Sequence, residues 1–183
     1  MPAESEPVLS LAEWLVLCLI CERETHGFAL VRLLDGEGEL GRIWRVPKPV
    51  IYRALQRLEQ LGLVDPAGQQ HSSLGPARLP AHVTAPGREL AHAWLRRPVG
   101  HNRDIRSELL IKLALLDRVH ADPGPLLDAQ HELLRPVADA LKTKLASAGG
   151  FDRTLILWRA ETITATMRFL DELRIPAPGR ASH

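Results

Sequence analysis

Cysteine and net charge are both scarce in this chain, and each shortage excludes a class of protein. Two cysteines among 183 residues cannot build a disulfide framework. A formal net charge of +1 is far from the global basicity of a histone-like protein. No apolar run reaches the length of a membrane span, and the opening residues, MPAESEPV, lack the cationic and apolar regions of a signal peptide. We therefore expect a cytoplasmic protein of one or two domains.

Motifs of catalysis and metal binding are also lacking. The chain contains no G-x-S-x-G, P-loop or dinucleotide-binding fingerprint, and its eight histidines show no metal-ligand spacing. Cys18 and Cys21 form a C-x-x-C pair, but they lie among Leu and Ile, where packing thiols are expected rather than reactive ones. We therefore expect no enzyme, no cofactor and no metal, and a thiol sensor is the weakest alternative.

Charge is unevenly distributed along the chain. Between positions 42 and 88 there are seven basic residues and only two acidic ones, Glu59 and Asp65. These bases are Arg42, Arg45, Lys48, Arg53, Arg57, Arg78 and Arg88. A local cationic surface of this kind attracts phosphate by releasing counterions, so we expect a nucleic-acid surface here.

The stretch Pro47–Leu63 lies inside this basic window and has the pattern of a DNA-recognition helix. One side is apolar at 3.6-residue spacing: Val50, Ile51, Ala54, Leu55, Leu58 and Leu61. The other side is cationic and amide-bearing: Pro49, Tyr52, Arg53, Gln56 and Gln60, with Arg57 at its edge. Proline suits the first turn of a helix, and Gly62 can supply the positive φ that ends one. An ordinary amphipathic surface helix is the alternative, so the context decides.

The preceding and following residues predict a winged helix-turn-helix. Ser10 and Glu13 form a capping box for an apolar helix to about Glu22, and a second helix follows at 28–35. After the basic helix, short strands are predicted at 63–65 and 79–84, separated by a polar loop at 68–77. Thr84 is then the natural N-cap of a fourth helix.

The second half of the sequence predicts helices only. They are expected at 103–119, at 122–147, where Pro136 should kink or divide the helix, and at 152–174. In the last helix Ile156, Ile163 and Leu170 are spaced by seven, which is typical of a coiled-coil-like seam. We predict a DNA-binding domain at 1–97, a helical domain at 98–175 and a flexible tail at 176–183.

Several segments, taken in order, resemble the PadR-like winged-helix transcriptional regulators. They are LSLAEWLVLCLI, THGFAL, IWRVPKPVIYRALQRLEQLGLV and VTAPGRE, and the similarity covers roughly residues 9–97. The resemblance implies a mainly α fold: an N-terminal winged helix-turn-helix domain with a small two-stranded wing, then an all-helical C-terminal dimerisation domain. It further implies a homodimer that represses nearby genes, with repression relieved when the dimer changes shape, often through a ligand.

Two departures from the family pattern concern DNA binding. Ala81 and His82 stand where relatives usually carry an aromatic residue and a base on the returning wing strand, so Arg78 is the only strongly cationic residue there. Arg53 replaces a proline that often follows the helix tyrosine, which adds a base to the outer side of the recognition helix.

These observations assign roles in binding double-stranded operator DNA. Arg45, Lys48 and Arg57 are expected to contact phosphates, and Tyr52 either donates to a phosphate or packs against the second helix. Arg53 and Gln56 are expected to contact base edges, because arginine pairs with guanine and glutamine with adenine. A winged helix that binds protein instead of DNA is the main alternative function.

The four tryptophans leave two interpretations open. Core packing is the first for all of them: Trp14, Trp44, Trp94 and Trp158. The second, by analogy with the family, places Trp94 or Trp158 in an apolar pocket for a small aromatic effector.

Overall fold

The computed structural model describes residues 7–65, 69–72, 75–78 and 80–174, with the backbone alone at 69–72 and 75–78. Within these residues the chain forms seven α-helices and four short strands. The elements are α1 (Leu11–Glu22), α2 (Gly27–Leu34), α3 (Lys48–Gln60), β1 (Val64–Asp65), β2 (Gln69–Ser72), β3 (Gly75–Arg78), β4 (His82–Val83), α4 (Ala85–Arg96), α5 (Leu110–Arg118), α6 (Gly124–Ser147) and α7 (Gly150–Arg174). The predicted fold class is confirmed: a winged helix followed by a helical region. The predicted tail at 176–183 lies outside the described residues.

Helix α1 begins at the predicted capping box and is buried on every side. The Ser10 hydroxyl accepts a hydrogen bond from the Glu13 N–H at 3.4 Å, and the Glu13 carboxylate accepts one from the Ser10 N–H at 2.6 Å. Every residue from Trp14 to Ile20 is buried. An all-round apolar helix has no solvent-facing stripe, so several other elements must pack around it.

The connection between α2 and α3 folds back tightly onto the end of α2. The N–H groups of Leu40 and Gly41 donate to the Leu33 carbonyl, and the Val46 N–H donates to the Leu34 carbonyl at 3.0 Å. A Cβ on Gly41 would lie 1.5 Å from the Asp35 carbonyl oxygen, so the backbone approach requires glycine there. Leu40 and Val46 are buried, which fixes where α3 begins.

Helix α3 ends in a Schellman motif built on Gly62. The residue has a φ of 65°, its N–H donates to the Glu59 carbonyl, and the Leu63 N–H donates to the Leu58 carbonyl. The Thr84 hydroxyl donates to the Gly62 carbonyl at 2.8 Å and accepts from the Gly87 N–H, so it caps α4 as predicted. The chain therefore enters the wing after α3 and leaves it before α4 at neighbouring residues, Gly62 and Thr84.

The wing differs from its prediction in two places. Strands β1 and β4 pair antiparallel at its base, but β4 is only two residues long and Pro80 lies before it. The segment predicted as a polar loop forms an antiparallel hairpin, in which β2 and β3 pair over four positions. The loop prediction was wrong because backbone ladder bonds do not require the apolar alternation that sequence patterns detect.

The chain divides into two compact units that are not contiguous in sequence. Residues up to Leu95, together with Leu110–Ala121, form the first unit. Arg96–Leu109, together with the residues from Asp122 onward, form the second. The domain division at residue 97 stays a prediction, and α5 belongs with the winged helix, since its Ile111 and Leu115 lie in the same core as α1.

The helix predicted at 103–119 is not continuous. A 3-10 turn at Asn102–Asp104 and a π-helical turn at Ile105–Leu109 precede α5. The buried residues Ile105 and Leu109 are four apart, a spacing that α and π turns share on one face, so the pattern did not distinguish them. The change of helix type coincides with the change of unit.

The second unit is built on an antiparallel pair of long helices. Helices α6 and α7 pack together and are joined by only Ala148 and Gly149. Pro136 lies within α6 without dividing it. Two of the three predicted seam residues, Ile163 and Leu170, are buried on α7, which packs against α6 of the same chain, and Ile156 is half-buried. Gln130, fully buried, accepts from the Val99 N–H at 2.6 Å and donates to its carbonyl at 3.0 Å. Among the described residues, no helix is long and apolar enough to span a membrane.

Helix α5 also ends in a Schellman motif, but with histidine at the left-handed position. The His120 N–H donates to the Asp117 carbonyl, the Ala121 N–H donates to the Leu116 carbonyl, and His120 has a φ of 53°. Gly62 occupies the same position at the end of α3 at no steric cost. Histidine with a Cβ is strained there.

His120→Gly should therefore stabilise the first unit. We expect a gain of about 1 kcal/mol in the free energy of unfolding, from relief of the left-handed strain. Urea denaturation measures it, and Ala121→Gly, one residue further and without a positive φ, is the control, with an expected loss of roughly 0.5–1 kcal/mol. Equal losses in both variants would contradict the strain at His120.

Candidate nucleic-acid interface

The two sides of α3 are separated as the sequence predicts. Ile51, Ala54 and Leu58 are buried in the core of the first unit. Five polar residues of the opposite side are exposed: Lys48, Arg53, Gln56, Arg57 and Gln60. The helix therefore presents three cations and two amides to solvent, which is the chemistry that contacts phosphates and base edges.

Tyr52 packs against the first turn of α2. A Cβ built on Gly27 would lie 2.8 Å from Cε1 of the Tyr52 ring and 3.4 Å from its hydroxyl oxygen. The ring thus occupies the space that a side chain at position 27 would need, and Tyr52 is half-buried. This contact supports the packing role directly, and the hydroxyl's role toward phosphate stays a prediction.

Arg45 precedes α3 and is paired with an acid. Its Nε lies 3.5 Å from Oδ1 of Asp35, and both side chains are largely exposed. Exposed pairs of this kind contribute about 0–1 kcal/mol, so Asp35 can be displaced by a phosphate at little cost. The geometry is compatible with the predicted phosphate role of Arg45.

The returning part of the wing carries Arg78 and His82. Arg78 lies on β3 opposite Gln69, and its side chain is outside the described residues. Nδ1 of His82 lies 2.9 Å from a carboxylate oxygen of Glu24. The Ala81 N–H donates to the Thr25 carbonyl, so the returning strand is attached to the α1–α2 turn. His82 therefore contacts an acid of its own chain.

The two tryptophans predicted to bind an effector lie in different units and different environments. Trp94 is 3% exposed and stacks on Trp14, with ring centroids 5.1 Å apart and planes 7° apart. Nζ of the fully buried Lys112 lies 4.5 Å from the Trp94 centroid, a cation–π contact. Trp158, on α7, is 71% exposed. Core packing thus describes Trp14 and Trp94, and an effector role for Trp94 or Trp158 stays a prediction.

Sequence reasoning missed the most strongly hydrogen-bonded arginine of the first unit. Arg118, at the end of α5, donates from Nε and Nη2 to the two carboxylate oxygens of Glu22 at 2.8 and 2.6 Å. It also donates from Nη1 to Glu39. The hydrogen bond to Glu22 is the main cause that raises the pKa of Arg118. Glu22 and Arg118 are 96 positions apart, and no local pattern connects them.

The cysteine pair is placed as packing residues would be. Cys18 is buried and Cys21 is half-buried within α1. Burial raises the pKa of the Cys18 thiol and raises that of Cys21 to about 11. Both are protonated at neutral pH, so neither is a ready nucleophile. The described residues contain no cluster of three metal-ligating side chains.

The chain matches a known protein family. The model of the Transcriptional regulator PadR-like family matches residues 16–93, from within α1 to within the last turn of α4. The match covers most of α1 but not its capping box, and it includes the Tyr52–Gly27 contact, α3 and the wing. No curated protein matches the chain. The resemblance drawn from the sequence motifs is therefore confirmed.

Gly27→Ala should disturb the seating of α3, because the added methyl group would collide with the Tyr52 ring. We expect a loss of about 1–3 kcal/mol in the free energy of unfolding, measured by thermal or urea denaturation. Gly36→Ala is the matched control, since its Cβ would meet only Arg45 at 3.5 Å, an ordinary contact. Equal stability of the two variants would argue against close packing at Gly27.

Tyr52→Phe keeps the ring, so a loss of DNA affinity in that variant would measure the hydroxyl alone.

Proposed function

We propose that this DNA-binding regulator acts as a homodimeric repressor. Its partner is double-stranded operator DNA. Residues 16–93 match the PadR-like family of transcriptional regulators, and α3 exposes a cationic face. The observation that carries the proposal is the exposed side of α3, which holds Lys48, Arg53, Gln56 and Arg57. We place the protein in the cytoplasm, with the DNA that it binds.

The residue roles divide between positioning and reading. Lys48, Arg57 and Arg45 contact phosphates, because long cations follow the backbone of the duplex. Arg53 and Gln56 contact base edges in the major groove, where each bidentate pair gives roughly 1–3 kcal/mol of discrimination. Arg78 adds a phosphate contact from the wing. Since His82 is engaged by Glu24, α3 supplies most of the affinity.

An uncovered apolar surface in the second unit supports the homodimer. Between positions 139 and 159, no residue of the α6–α7 pair is buried. Phe151, Leu155 and Trp158 lie on one face of α7 at helical spacing and are exposed, Phe151 by 79%. Exposed apolar patches mark interaction sites, and a second copy of the same hairpin would cover this one. A dimer would bring two recognition helices to half-sites ~34–36 Å apart.

Repression and its relief follow the family pattern. A dimer seated on operator DNA excludes other proteins from the site, and a ligand that prefers another dimer shape lowers the affinity for DNA. Trp158 is the exposed tryptophan of the two effector candidates, and the effector we propose is a planar aromatic ligand that displaces the partner copy from it and so changes the dimer. Quenching of its fluorescence by such ligands is the direct assay.

A protein-binding winged helix without DNA binding is the second candidate. The engagement of His82 by Glu24 favours it, because the returning wing strand then offers little free charge. The exposed cations of α3 oppose it. The two functions differ in salt dependence, since each phosphate contact lowers log K by about 0.9 per unit of log salt.

The decisive experiment selects genomic DNA fragments with the wild-type protein and measures binding at two salt concentrations. Arg53→Ala should lower the ratio of operator affinity to scrambled-duplex affinity, because a base contact is lost. The corresponding difference in binding free energy should shrink by roughly 1–3 kcal/mol. Arg88→Ala is charge-matched and should leave that ratio unchanged. Lys48→Ala should weaken binding to both duplexes and reduce the slope of log K against log salt by about 0.9. If Arg53→Ala discriminated as well as the wild type, α3 would not be the reading helix.

The homodimer has its own test. Trp158→Glu places a charge in the exposed apolar face and should shift the protein from dimer to monomer in sedimentation equilibrium. Thr164→Glu adds the same charge to an exposed position outside that face and should leave the dimer intact. A dimer that tolerated Trp158→Glu would exclude this face as the interface.

A further inference from the structure

We propose that Arg118 is a positioning residue for DNA binding, which holds the connection between α2 and the recognition helix in place from α5. The inference rests on the proposed function, because it concerns the geometry of the same α3. It assigns a role in DNA reading to a helix that begins seventeen positions after the end of the family-matched segment, residues 16–93.

The Arg118 side chain is 12% exposed and joins two separate elements of the first unit. Its fork faces the carboxylate of Glu22, 17% exposed at the end of α1, with two parallel hydrogen bonds. Its remaining nitrogen donates to Glu39, which lies in the α2–α3 connection. Guanidinium is rigid and planar, so one arginine fixes both carboxylates in a defined relation.

Glu39 is the residue through which this contact reaches α3. The next residue, Leu40, is buried and its N–H donates to the Leu33 carbonyl at 3.1 Å. Six residues further, the buried Val46 leads directly into the N-cap Pro47. A displacement of Glu39 therefore moves the backbone from which α3 starts. The exposed side chains of α3 would then meet the groove at a different angle.

Helix α5 is a firm support for Arg118. Ile111 and Leu115 are buried in the core around α1, and Lys112 lies over the Trp94 ring. The residues before α5 and after Ala121 belong to the second unit. The chain thus enters α5 from the second unit and returns to it. A shift of α5 would therefore be transmitted to Glu39 through Arg118.

Glu39→Gln is the sharpest test, because Glu39 is half-exposed and its loss leaves the Arg118–Glu22 pair intact. Glu37→Gln is the matched control: Glu37 is an exposed glutamate two residues earlier in the same connection. Each variant removes one negative charge, so electrostatics alone would raise DNA affinity similarly in both. The full-length variants are titrated with a genomic duplex selected by the wild type and with a scrambled duplex of equal length.

We expect Glu39→Gln to bind the selected duplex about tenfold more weakly than Glu37→Gln, through displaced base contacts. Affinity for the scrambled duplex and the salt slope should be equal in the two variants, since no phosphate contact is removed. Glu39→Asp should recover part of the loss, because the carboxylate is retained. A merely structural role would lower the melting temperature without changing the ratio of the two affinities.

Two results would overturn the inference, and they are distinguishable. If the wild type selects no DNA, the proposed function fails and the positioning role fails with it. If the wild type selects DNA, but Glu39→Gln and Glu37→Gln discriminate the two duplexes equally, the proposed function stands and Arg118 does not position α3.

Discussion

The first unit depends on the burial of α1 on all sides. A helix that is apolar around its whole circumference cannot lie on a surface, so every neighbour must contribute a covering face. Helix α3 covers it with Ile51 and Leu58, α4 stacks Trp94 on Trp14, and α5 completes the core. The orientation of α3 is therefore a consequence of how α1 is covered. Its polar side faces solvent because its apolar side is buried in the core around α1.

The same requirement explains why charge is concentrated on α3. The core fixes one side of the helix, and the other side is free to carry the cations and amides that contact DNA. The wing is fastened to the body instead, through the Ala81–Thr25 backbone bond and the His82–Glu24 contact. Neighbouring acids thus contact Arg45 and His82 at the periphery, whereas Arg53, Gln56 and Arg57 of α3 remain exposed.

Local features of this fold could be predicted, and long-range ones could not. The Ser10–Glu13 capping box, the end of α3 at Gly62 and the Thr84 cap are encoded within a few residues, and each is present in the structure. The Arg118–Glu22 pair joins positions 96 apart, so no pattern announces it. The β2–β3 hairpin was not predicted, because its strands pair through backbone hydrogen bonds and their sequence lacks the alternation of apolar residues that indicates a strand. The α7 seam was recognised, but its partner was not: periodicity shows that a face is covered, and not by which helix.

The discontinuity of the first unit affects the order in which it can form during synthesis. α1 leaves the ribosome early, yet the residues that complete its cover, Ile111 and Leu115, and its terminal partner, Arg118, are translated about ninety to a hundred positions later. At ~5–20 residues per second, α5 follows the end of α4 by roughly 1–4 s. For that interval the nascent winged helix carries an incompletely covered apolar helix, and exposed apolar surface of this kind promotes aggregation.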